Sequence, residues 1–72
     1  MAANDDLVQA ATEAARRYAA NRRWTVSRIA VGATVHTAQG RAAWLRVTLT
    51  DGTEYDFKYI TQDDGTGTLV PL

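Results

Sequence analysis

The chain has no cysteine and a single proline, histidine and serine among its 72 residues. Without thiols, neither disulfides nor thiolate zinc sites can staple the fold, and a chain this short lies near the lower limit for folding on a core alone. Stability must come from a compact core or from association, and a large internal active-site cavity is not expected. Also missing is any apolar run near the roughly 18 residues of a membrane span, so no membrane partner is expected. The opening "MAANDDLVQAA" carries acids where a secretory signal has a basic stretch followed by an apolar one, which leads to the expectation of a cytoplasmic protein.

The scarcity extends to catalytic groups. His36 and Ser27 are alone of their kind, lie nine positions apart in one strand-like run, and point to opposite faces if the alternation is unbroken. "QDDGTGT" joins two carboxylates to glycines, yet lacks the alternating ligands and terminal glutamate of an EF-hand and the lysine of a P-loop; Asp-Gly turn chemistry accounts for it. Glu54 and Asp56 fall on one face, with Arg46 and Lys58 beside them as neutralising partners rather than as members of an acid and base pair. No enzymatic activity, cofactor or metal site is expected.

Acids are absent, too, from the middle of the chain. Arg16, Arg17, Arg22, Arg23, Arg28, Arg41 and Arg46 follow one another without an intervening carboxylate, and Asp51, Glu54, Asp56, Asp63 and Asp64 then follow with only Lys58, although the net charge is zero. Packing the two blocks together neutralises them; a dipolar surface that steers an acidic partner is the alternative.

What the chain does have is pattern. Residues 5 to 22 read as a helix with Leu7, Val8, Ala11, Ala14, Ala15, Tyr18 and Ala19 on one side. Asn4, Asp5 and Asp6 are capping residues, Asp6 with Gln9 having capping-box spacing, and Arg16, Arg17, Arg22 and Arg23 complement the dipole at the carboxyl end. The stripe is mostly alanine, which lets the helix backbone approach a sheet closely. Three strand-like runs follow, over residues 26 to 36, 42 to 50 and 53 to 60, with 68 to 71 a candidate short fourth strand. The expected class is α+β: one domain, with an N-terminal helix packed on one face of a three- to four-stranded antiparallel meander.

Turn glycines set the expected register. A three-residue loop Thr50-Asp51-Gly52 with glycine in the left-handed position puts Val47 opposite Tyr55, Leu45 opposite Phe57 and Ala43 opposite Tyr59, one wholly apolar face. The same rule makes Ala38-Gln39-Gly40 the preceding loop and puts Val35 opposite Ala43, Ala33 opposite Leu45, Val31 opposite Val47 and Ile29 opposite Leu49. The other face then carries Arg28, Ala30, Gly32, Thr34 and His36, then Ala42, Trp44, Arg46 and Thr48, then Glu54, Asp56 and Lys58. In this register Arg46 lies opposite Asp56 and Lys58 opposite Trp44, a cross-strand ion pair and an ammonium over an indole.

A tryptophan held out from a sheet among small residues is a candidate contact point, because aromatic and arginine side chains dominate interface energies. Trp44, Arg46, Thr34, Lys58 and Arg28 are therefore the expected partner-binding residues of a small non-catalytic module of inhibitor, immunity or regulatory type, acting through this face or an open sheet edge, on a protein partner or a second copy of itself. The alternative is nucleic-acid binding through Arg16, Arg22 and Arg23, with Tyr18 or Trp24 for stacking. Against it, Tyr18 falls on the apolar stripe, Trp24 is expected to cover the helix end, and the pI is near 6.5.

From residue 40 onwards, "GRAAWLRVTLTDGTEYDFKY" with "DDGTGTLV" resembles the end of PepSY-type domains, in which a helix precedes a small meander. Cystatin-like inhibitors share the helix-plus-sheet outline, but of their glutamine-valine-glycine hairpin signature "HTAQGR" holds only a glutamine and a glycine. These turns are ones any meander uses, and no family is assigned from them.

Overall fold

A computed structural model of the chain describes residues 4–38, 40–62 and 66–72. Helix α1 (Asn4–Asn21) is followed by strands β1 (Val26–Thr37), β2 (Gly40–Leu49), β3 (Glu54–Gln62) and β4 (Gly67–Pro71), which form one antiparallel sheet in the order β1-β2-β3-β4. The helix lies against one face of this meander, as expected. Among the described residues no helix is long and apolar enough to cross a membrane. Gln39 and the residues Asp63, Asp64 and Gly65 of the acidic loop lie outside the described residues.

Every fourth residue of α1 seats it on the sheet. Leu7, Ala11, Ala15 and Ala19 are buried, the first three in one core with Ala43, Leu45, Val47 and Phe57. Three of those four helix residues are alanines, so the helix axis can come close to the sheet, and apart from Leu7 the larger buried side chains of the core come from the strands. Val8, expected on the stripe, is instead 36% exposed, because the contact line follows the i+4 row.

The two ends of the helix differ from expectation. It begins at Asn4, so Asp6 lies inside the first turn, where its charge faces the positive end of the dipole, and is not the cap. It ends at Asn21 with no basic residue in its last turn; Arg22 and Arg23 lie just beyond. Arg23 adopts φ 59°, and the amides of Trp24 and Arg23 donate to the carbonyls of Ala19 and Ala20, at 2.9 and 3.1 Å. This is the Schellman ending, with arginine where glycine is usual. Trp24 completes it by packing its ring 5.6 Å from that of Tyr18, and it continues the cluster by stacking on Tyr55, with centroids 4.3 Å apart and planes 9° off parallel. Tyr18 meets Phe57 edge-on.

The β2–β3 hairpin has the expected register throughout. Val47 pairs with Tyr55, Leu45 with Phe57, Ala43 with Tyr59, Arg46 with Asp56 and Trp44 with Lys58. Gly52 sits at φ 92°, its amide donates to Leu49 O, and the Asp51 carboxylate accepts from the Thr53 amide at 2.9 Å. That backbone donor holds the Asp51 carboxyl below its ordinary value.

The β1–β2 hairpin does not. Thr37 pairs with Gly40, so the loop is two residues long, one shorter than expected, and Gly40 belongs to the strand at φ 147°. A Cβ there would collide with the Thr61 carbonyl, which is why this position takes glycine. Losing one loop residue turns the neighbouring side chains over. Thr34 pairs with Ala43 and His36 with Arg41, on the helix side, while Val35 pairs with Ala42 on the other. A bulge then restores the apolar face: Gly32 and Ala33 together oppose Trp44, and beyond them Val31 pairs with Leu45 and Ile29 with Val47, two positions from the expected partners. A second register shift falls between Val26 and Arg28.

Candidate functional site

Among the described residues no element covers the face of the sheet opposite α1. Its side chains follow from the register in rows that cross the strands. At one end Arg28 of β1 pairs with Thr48 of β2, and Thr48 with Glu54 of β3. The next row runs Ala30, Arg46, Asp56, and the one after it Gly32 with Ala33, then Trp44, Lys58 and Val70. The last runs Val35, Ala42, Ile60 and Thr68. The face therefore has two halves, one ionic around Arg46 and one apolar around Trp44, Ala42 and Ile60.

The ionic half is organised by one guanidinium. Arg46 Nε donates to Asp56 Oδ1 at 2.8 Å and Nη2 to Oδ2 at 3.4 Å, the fork geometry favoured by arginine and carboxylate, while Nη1 lies 3.8 Å from Glu54 Oε1. The hydrogen bond from Arg46 holds the Asp56 carboxyl below the usual carboxylate range, and the same bond, with the charges of Asp56 and Glu54, raises the Arg46 guanidinium further above its own. Both partners are about half exposed, so the pair orients side chains more than it stabilises the fold.

In the apolar half Trp44 is half-buried, with Lys58 Nζ 5.2 Å from its ring centroid. Ala42 is only 4% exposed, a small residue between Val35 and Ile60 in its row. Val35 is 42% exposed. Next to Trp44, Gly32 of the bulge borders a shallow hollow of about 390 Å³, together with Ala30, Arg46 and Asp56. Position 32 has room: a Cβ there would come no nearer than 3.7 Å to the Trp44 carbonyl oxygen.

Of the expected contact residues, Trp44, Arg46, Lys58 and Arg28 share this face. Thr34 does not, because the shorter turn moves it to the helix side; His36 moves with it and borders a cleft with Asp6, Leu7 and Tyr59. In place of Thr34 the face gains Val35, together with Ile60 and Val70. Ile60 was legible, since alternation from Lys58 puts it on the same side. Val35 was not, since its face depends on a loop length that differs by one residue.

The arginines of the alternative reading gather around the helix end. Arg16 and Arg23 are exposed, and the Arg22 guanidinium lies 4.4 Å from the Tyr18 ring centroid. The rings that would stack on bases are engaged with each other, Trp24 on Tyr55 and Tyr18 between Phe57 and Arg22. Among the described residues no group of three or more histidine, cysteine, aspartate or glutamate side chains is placed to hold a metal ion. No protein-family model, curated protein or solved structure matches the chain.

Proposed function

We propose that the chain is a small non-catalytic protein-binding module, of inhibitor, immunity or regulatory type, whose contact surface is the sheet face around Trp44. The observation that carries this reading is the uncovered apolar row of Val35, Ala42 and Ile60 beside Trp44, continuous with the Arg46–Asp56 pair. A flat face with an aromatic anchor and a charged border has the composition of an interface core and rim. The sheet edges are weaker candidates. A partner strand adding to β1 would meet two register shifts, and β4 is five residues long and ends in Pro71, which has no amide to donate.

Binding through the arginines at the helix end is the less favoured reading, because Trp24 and Tyr18 spend their faces inside the protein. Both are tested by capture with three baits: the wild type, Trp44→Asp, and a triple variant in which Arg16, Arg22 and Arg23 become glutamate. A polypeptide held by the wild type and the triple variant but lost from Trp44→Asp, with circular dichroism unchanged, supports the sheet face. Retention by Trp44→Asp overturns it, and salt-sensitive nucleic acid lost only from the triple variant puts the second reading in its place.

A further inference from the structure

Resting on that reading, we infer that the occupant of the sheet face is a second copy of this chain, packed face to face about a two-fold axis that runs along the strands between β2 and β3. Such an axis lays β2 of one copy over β3 of the other. Residues that are cross-strand neighbours within a copy then meet across the interface as well: Ala42 faces Ile60, Trp44 faces Lys58, and Arg46 faces Asp56. The face is thus complementary to itself, apolar half on apolar half and each guanidinium above the partner's carboxylate. The bulge supports the same arrangement, since its Gly32 borders the hollow beside Trp44 without a side chain to fill it.

The areas agree. A chain of 7.9 kDa exposes 4930 Å², against about 4,400 Å² for a folded monomer of that mass. Four strands about 4.8 Å apart and roughly 30 Å long present on the order of 600 Å², so a pair buries about 1,200 Å², the lower limit of specific interfaces. Sheets stacked this way pack with strand directions within about 30° of each other, a crossing that preserves the central rows, where Trp44 and Arg46 lie.

Sedimentation of the full chain from about 1 to about 500 µM is the test, a range that covers the weak self-association found among interfaces at the lower size limit. The expected result is a mass that rises from one copy to two in the wild type and stays at one in Trp44→Glu, with the same circular dichroism. Arg46→Asp and Asp56→Arg, each alone, should weaken association at least about tenfold, and mixing the two variants should restore it, because each then offers the charge that the other lacks. A wild type that stays monomeric throughout overturns self-association and leaves the sheet-face reading to its capture experiment. A dimer whose affinity is the same in Trp44→Glu and in both charge variants places the self-contact elsewhere and overturns the face-to-face pairing, with the sheet-face reading again decided by its capture experiment.

Discussion

Two faces of one sheet carry opposite designs. Toward α1 the central strands present Ala43, Leu45, Val47 and Phe57, each almost wholly removed from water, and the helix answers with alanines that let it settle close. Away from α1 the same strands present Ala42, Trp44 and Arg46, then Asp56, Lys58 and Ile60, with no other element over them among the described residues. The helix side depends on volume fitted against volume, whereas the open side depends on pairs within the sheet, an ion pair and an ammonium over an indole. A substitution should therefore cost stability on one side and association on the other.

The strongest way to break the contrast is Phe57→Ala. Removing a side chain 2% exposed, in contact with the Tyr18 ring, should cost about 3–5 kcal/mol in a domain whose whole stability is on the order of 5 kcal/mol, so urea should find the variant largely unfolded. Trp44→Ala, measured at sub-micromolar protein so that association does not contribute, should cost only about 1 kcal/mol. Equal losses from the two would erase the difference between the faces. Ala15→Leu probes the closeness of the helix: overpacking at a position 1% exposed should cost about 1–3 kcal/mol, and a neutral result would mean that the helix can ride higher.

Smaller effects sharpen the picture at its margins. Arg23→Gly should raise stability by about 1 kcal/mol, since glycine holds the left-handed ending of α1 without the strain arginine bears at φ 59°. The smallest effect is a pH dependence on the open side. Arg46 lowers the folded-state pKa of Asp56 below its unfolded value, so the contribution is present above the ordinary carboxylate range and lost as pH falls through the lowered value. Asp56→Asn should accordingly be less stable than the wild type at neutral pH and converge with it in acid, in thermal melts run across that range; a gap that widens in acid would contradict the sign.

How far the site was legible depended on the turn beside it. In Thr50-Asp51-Gly52 glycine holds positive φ and Asp51 accepts the Thr53 amide, so local chemistry and the apolar pattern agree on a single register. Trp44, Arg46, Asp56 and Lys58 were placed correctly from it. In Ala38-Gln39-Gly40 the glycine signal was real but had a different cause: Gly40 is glycine because the Thr61 carbonyl lies against it, a contact from a strand that follows later in the chain. Nothing local distinguishes that demand from the demand of a turn. The resulting slip moved Thr34 and His36 to the helix side and brought Val35 to the open one.

The sequence by itself determined the helix with its alanine row, three strands with 68 to 71 as a candidate fourth, their antiparallel meander and the β2–β3 pairing. Periodicity and turn geometry act over a few residues and are written where they act. Only the tertiary structure decided the register of β1, its bulge at Gly32 and Ala33, and thus which small residues surround Trp44. Those depend on where a third strand's backbone passes and on how a mismatch of one residue is absorbed, quantities that exist only once distant segments pack together.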